Sequence, residues 1–282
     1  MKQNWQQRLL IGTIAALTTF ALILAAHLPY FNFLFLAVAV AVITIASWEL
    51  MQLTIKVGGA PLSTLTLACI AGYVISVFIA TQWHFLDFLP ELALLTTLTA
   101  IFLYHFYIHE HPINTIANSL FPFAYLAIPL ATAIPILYYF PENSTQEGRW
   151  WLLFLLTVVK INDVAAYIFG KMLGKHPMSR YISPKKTWEG SIAGFAAATL
   201  LGALFQPLLQ IPFATAIALA CALALAAQFG DLSESLLKRD AGTKDSNSLP
   251  GLGGVLDVVD ALVFSCPLMY IFLRYEFKEA IV

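Results

Sequence analysis

Charge is what this 282-residue chain has least of: Asp, Glu, Lys and Arg together make up 11% of it, where soluble domains carry about 25%. That shortage, beside 60% apolar residues, excludes an ordinary water-soluble globule and leaves a protein that crosses the membrane repeatedly. Cysteine is nearly absent. Cys69, Cys221 and Cys266 form an odd, scattered set inside apolar runs, which excludes a disulfide framework or a zinc cluster and suits small buried hydrophobes. A formal net charge of -1 leaves no basic footprint, so nucleic acid is not an expected partner. The first apolar run lacks an A-x-A site and is too long for a signal peptide, so Leu9 to about Leu28 reads as a first transmembrane helix. Neither an internal repeat nor an inverted pseudo-symmetry is visible, which counts against the common transporter architectures.

What is present is a series of apolar stretches near the roughly 20 residues that cross a bilayer. They lie at about 9–28, 31–50, 62–82, 86–107, 114–139, 150–172, 187–207, 211–230 and 256–274. The expected fold is therefore all-α, a polytopic integral membrane protein with about nine transmembrane helices. The fourth span begins among Asp87, Pro90 and Glu91, and the fifth holds Pro122, Pro129 and Pro135, where kinks are expected. With the N-terminus in the cytoplasm, eleven Lys and Arg residues fall inside and three outside, the bias expected of cytoplasmic loops. Residues 149–282 carry 22 of the 31 charged residues. The chain thus divides into scaffold helices, 1–148, and a catalytic region, 149–282, within one membrane domain.

The segment from Asp231 to Asp260 joins the last two spans and concentrates carboxylates, cations, hydroxyls and four glycines. Ionisable groups beside hydrocarbon are costly unless they bind something polar. If the eighth helix continues through Arg239, then Asp231, Ser235 and Lys238 share a face at i, i+4 and i+7. A carboxylate, a hydroxyl and an ammonium so aligned can hold a metal and a phosphate; snorkelling surface groups are the bland alternative. The turn L-P-G-L-G-G, Leu249–Gly254, lets backbone N–H groups approach an anion at a helix start. Asp257 and Asp260, at i and i+3, each cost at least about 2.5–3.5 kcal/mol in hydrocarbon. A helix dipole offsets only about 0.3–1 kcal/mol, so a cation or cationic side chain is implied. Magnesium suits such a site, since it takes few carboxylates plus phosphate oxygens and waters; salt bridges to Lys238 or Arg239 are the alternative.

Upstream lies S-P-K-K-T-W-E-G, in which Pro184 holds Ser183 extended and Lys185 and Lys186 stand before the seventh span, with Thr187 as a cap. Asn162 and Asp163 sit within the sixth span, where Lys160 can neutralise Asp163 or polar helix packing can explain both. His105, His109 and His111 have partial metal spacing, but they lie among aromatics, far in sequence from the other polar groups, and are not expected to bind metal.

Taken in order, N-D-x-x-A-Y-x-x-G, S-P-K-K-T-W-E-G and G-D-L-S-E-S-L-L-K-R…L-P-G-L-G-G-V-L-D-V-V-D resemble the motifs of phosphatidate cytidylyltransferases, also called CDP-diacylglycerol synthases, over about residues 162–260. Leu252 and Val258 stand where that family commonly has His and Arg, and Ala261 where it often has Ser. The resemblance implies CTP and phosphatidate as substrates, CDP-diacylglycerol and pyrophosphate as products, and Mg2+ with a second cation as an option. It implies Asp231, Lys238, Asp257 and Asp260 as catalytic, with Asp231, Asp257, Asp260 and Asp163 holding metal. Substrate contacts are expected from Lys185, Lys186, Thr187, Ser235, Arg239, Lys244, Gly251, Gly253, Gly254 and Asn162. The other expected partners are the lipid bilayer and a second copy of the chain in a homodimer; the expected location is a bacterial inner membrane with the site facing the cytoplasm. An ion-coupled transporter and a catalytically weakened homologue are the alternatives. A CDP-alcohol phosphatidyltransferase is less suited, because its D-G-x-x-A-R signature is absent.

Overall fold

The computed structural model describes residues 17–28, 30–108, 110–140, 146–179, 181–243 and 254–277. Among them are eight helices long and apolar enough to cross a membrane, and the chain is a multi-pass, all-helical membrane protein. A helix at 17–25, α1, belongs to the expected first span, whose beginning lies outside the described residues. There follow α2, Phe31–Lys56; α3, Ser63–Gln82; α4, Leu89–Tyr107; and α5, Pro112–Leu137. Then come α6, Gly148–Leu173; α7, Trp188–Leu209; α8, Phe213–Asp240; and the last span, Leu256–Glu276, itself two helices, α9, Leu256–Val259, and α10, Leu262–Glu276.

Local chemistry accounts for the interruptions and for the ends. In α5 a π-helical turn, Phe123–Ala127, follows Pro122, and helix is lost at Thr132 between Pro129 and Pro135, because each proline removes an N–H from the ladder. Two helices outrun their apolar stretches. α2 continues to Lys56 and stops beside Gly58 at φ 88°; α8 continues to Asp240 and stops beside Gly242 at φ 63°. Hydropathy marks where hydrocarbon ends, whereas the helix ends where a glycine can turn left-handed. Between α6 and α7 the chain forms a short antiparallel hairpin, β1, Pro177–Ser179, and β2, Ser183–Thr187, with Pro177 opposite Thr187 and Ser179 opposite Ser183. Only the extended Ser183 of this hairpin was predicted.

The helices gather into two compact units, Met1–Pro135 with Asp240–Val259, and Ile136–Arg239 with Asp260–Val282. In the first, α2 packs on α3, and α9 packs on α2. In the second, α6 and α7 form the closest pair. Gly190, Gly194, Ala198 and Gly202 are buried small residues at four-residue spacing on α7; Gly190 and Gly194 lie against α6, and Gly202 lies against Ala216 and Ala220 of α8. A Cβ on Gly194 would come within 2.5 Å of the Asn162 carbonyl oxygen. This is the small-residue packing that lets membrane helices approach backbone to backbone.

The last span departs from the expected continuous helix. Asp260 and Ala261 form a turn between α9 and α10, in which Ala261 keeps helical dihedrals, φ -67° and ψ -20°. The Asp260 carboxylate accepts the N–H of Ala261 at 2.6 Å, competing with the helical ladder as short acidic side chains do. Ser265 Oγ donates to the Ala261 carbonyl at 2.8 Å.

Candidate active site

The second unit places six of the expected residues around one cavity, and the start of α7 explains how. Thr187 is the N-cap: its Oγ1 accepts the Gly190 N–H at 3.2 Å, as a capping hydroxyl should. Glu189 reaches back, accepting the N–H groups of Lys175 and His176 at 3.2 Å each and pairing with the His176 ring. The β1–β2 hairpin is thereby tied to the helix. Within β2, Lys185 is exposed and Lys186 half-buried. Lys186 Nζ makes an ion pair with the carboxylate of Asp231 on α8.

The cavity, of about 580 Å³, is bounded by α6, the hairpin, α7 and α8. Asn162 and Asp163 of α6, Lys185, Lys186 and Thr187 of the hairpin, and Asp231 of α8 are all on its wall. Two residues not anticipated from the sequence join them, Ser191 and Gln228. Gln228 Nε2 donates to Asn162 Oδ1 at 2.8 Å and to the Ser191 carbonyl at 3.0 Å, while Ser191 Oγ donates to Gln228 Oε1. The network fixes Asn162, which is 1% exposed. A glutamine in the run A-L-A-A-Q-F-G was the signal: an amide in hydrocarbon requires a partner.

The electrostatics centre on acids. Asp163 and Asp260 each interact with Asp231 and with Lys160, and Asp163 also with Lys186. Three carboxylates therefore share two ammonium groups. Asp260 is buried and is not on the cavity wall. Among the described residues no three His, Cys, Asp or Glu side chains gather closely enough to hold a metal unaided. Hard carboxylate oxygens in small number are nevertheless the donor set magnesium uses when substrate phosphates complete its shell.

The remaining expected residues lie elsewhere. Lys238 is 9% exposed and pairs with the buried carboxylate of Glu234 at 2.6 Å, i to i+4 along α8; neither is on the cavity wall. Arg239 Nε donates to the Ile182 carbonyl at 3.0 Å, joining the end of α8 to the hairpin, and Ser235 is half-buried. Truncating one partner of a buried ion pair is expected to cost about 3–5 kcal/mol, whereas replacing both by apolar residues costs far less. Glu234→Gln alone should thus lower the melting temperature in detergent more than Glu234→Leu with Lys238→Met does. Equal losses for the two would show that the pair does not act as a unit.

In the first unit, Asp257 Oδ2 accepts the N–H of Gly254 at 3.3 Å. Lys244, Gly251 and Gly253 lie outside the described residues, as does Leu252. Among the histidines, His105 is buried and its Nδ1 donates to the Ile108 carbonyl at 3.1 Å.

A sequence model described as the cytidylyltransferase family matches residues 6–276. A phosphatidate cytidylyltransferase of Chlamydia trachomatis serovar D is 39% identical over 167 residues, 56% of this chain and 55% of that protein. One of Brucella suis biovar 1 is 46% identical over 127 residues, 44% of this chain and 47% of that protein. An Escherichia coli K12 protein named Uncharacterized protein YnbB is 38% identical over 138 residues, 48% of this chain and 46% of that protein. The chain spans about half the length of the curated relatives it matches.

Proposed function

This chain belongs to the cytidylyltransferase family, and from that premise we propose that it transfers CMP from CTP to phosphatidate, giving CDP-diacylglycerol and pyrophosphate for phospholipid synthesis. The observation that supports this most is the Asp231–Lys186 pair on a cavity shared with Asp163 and Lys185. Acids and cations stand there together, as a reaction between two anionic phosphates requires. The same helix α6 exposes Tyr167, Ile168 and Met172, apolar groups suited to a substrate that keeps its acyl chains in the bilayer.

In the reaction, an oxygen of the phosphatidate phosphate forms a bond to the α-phosphorus of CTP. The bond from that phosphorus to the β-phosphate oxygen breaks, and pyrophosphate leaves with the electron pair. The nucleophile is already ionised, so no Ser–His pair is needed to generate it. The protein's task is to align two anions and neutralise charge, which positioned cations do. Lys185 and Lys186 meet the phosphates, Lys186 exchanging its contact with Asp231 for one with substrate. Asp231 and Asp163, with Asp260 behind them, would hold magnesium; the ion supplies charge neutralisation on the phosphate oxygens. The sequence motif adds Asp257 and the glycines near 251–254 to the residues this reading requires. The lysine bias of the loops supports a cytoplasmic site, where CTP is available.

Detergent-purified protein should release pyrophosphate only when CTP, phosphatidate and Mg2+ are all present, and a chelator should stop release. Substrate movement across reconstituted vesicles without any CTP consumption would favour an ion-coupled transporter.

A further inference from the structure

One buried acid lies far from the cavity residues in sequence. Glu49 of α2 is 0% exposed. Its Oε1 accepts the N–H of Val255 at 3.1 Å and its Oε2 the N–H of Leu256 at 2.7 Å. These groups open α9, whose next residue is Asp257. With Asp257 Oδ2 on the Gly254 N–H, three successive N–H groups at the start of this helix end on two carboxylates.

A helix start needs partners for its first N–H groups, and a local Ser, Thr, Asp or Asn usually provides them. Here one carboxylate comes from 206 residues away in sequence. Glu49 thus does for α9, from a helix at the other end of the chain, what a local capping side chain does elsewhere. A side chain that grips the two peptide N–H groups immediately preceding Asp257 fixes the backbone from which that carboxylate projects. The packing of α9 on α2 gives the grip a rigid base.

We propose that Glu49 is a positioning residue for Asp257, acting from the N-terminal helices on the start of the last span. The proposal rests on the reading that Asp257 serves the transfer reaction. Its carboxylate sets the direction of Asp257, the residue that this reading assigns to the reaction.

The test uses the full-length protein in lipid–detergent micelles, as wild type, Glu49→Gln and Glu49→Ala. An amide has one acceptor oxygen, so Glu49→Gln keeps the volume and loses one of the two bonds. Backbone hydrogen exchange in 254–260, measured without substrate, should quicken by about tenfold in both variants. At equal folded concentration kcat should fall by about 10–100-fold, the usual loss when a supporting partner of a reactive group is removed. The half-saturating Mg2+ concentration should rise, while KM for CTP at saturating Mg2+ stays within about twofold. Unchanged exchange in 254–260 overturns the positioning whatever the activity. A Glu49→Gln protein with wild-type kcat and Mg2+ dependence also overturns it, as does a loss that merely tracks the amount of folded protein. If wild-type protein makes no CDP-diacylglycerol, the functional reading fails on its own, and the exchange rates still decide the role of Glu49.

Discussion

Asp231→Asn should lower CDP-diacylglycerol formation by about 10³-fold while leaving the melting temperature in detergent within a few degrees. Removing a ligand that helps neutralise a phosphoryl-transfer centre forfeits several kcal/mol of transition-state stabilisation, and each 1.36 kcal/mol is about tenfold in rate. Stability should change little, because the Asp231 and Lys186 side chains are 33% and 29% exposed, and such partly exposed pairs contribute about 0–1 kcal/mol. An exchange of the partners separates chemistry from architecture. Asp231→Lys combined with Lys186→Asp preserves an ion pair between β2 and α8, so a purely structural bridge would retain activity. Here the exchanged protein should remain inactive, because the carboxylate and the ammonium have changed places relative to the phosphates. Substantial turnover in it would show that the pair only fastens the hairpin.

The second large effect concerns Gly230, one residue before Asp231. A Cβ there would overlap the Asp260 carbonyl oxygen, with the Ala261 Cα at 3.1 Å and the Asp260 carbonyl carbon at 3.2 Å. All three are backbone atoms, and none can rotate aside. Gly230→Val should therefore force α8 away from the turn before α10, at a cost of about 1–3 kcal/mol as overpacking. It should also carry the Asp260 carboxylate away from Asp231, and a displacement of about 1 Å near reacting groups can cost about 10²-fold in rate. The expected result is a melting temperature lower by several degrees and activity reduced by about 10²-fold per folded molecule. Gly72 in α3 is the internal control: a Cβ there meets nothing within 4 Å. Gly72→Ala should leave activity unchanged and stability equal or slightly raised, since alanine is the better helix former.

The spans were legible because hydropathy has one dominant cause, the absence of water in the bilayer core. Span ends were less so, since α2 and α8 run on through charged residues until Gly58 and Gly242 permit a left-handed turn. The cavity wall was legible wherever a polar group stood where hydrocarbon should be: Asn162, Asp163, Lys186 and Asp231 meet there. The same argument applied to Gln228 and Glu49 would have found both, but neither sits in a run of motif residues. The turn at Asp260 was not legible. It depends on Gly230 and Asp260 meeting across thirty residues of sequence, a tertiary contact that no local pattern records. Lys238 was expected to reach phosphate, and the structure pairs it with Glu234 in a buried site.

The most direct test of the central claim is to follow two labels through one turnover. Purified protein in phosphatidate-containing micelles with Mg2+ would be given CTP labelled either at the α-phosphorus or at the γ-phosphorus. The α-label should pass into the lipid extract in proportion to phosphatidate consumed, and the γ-label should stay in water as pyrophosphate. An α-label that remains entirely aqueous, under conditions in which the protein is folded and binds CTP, would contradict the account.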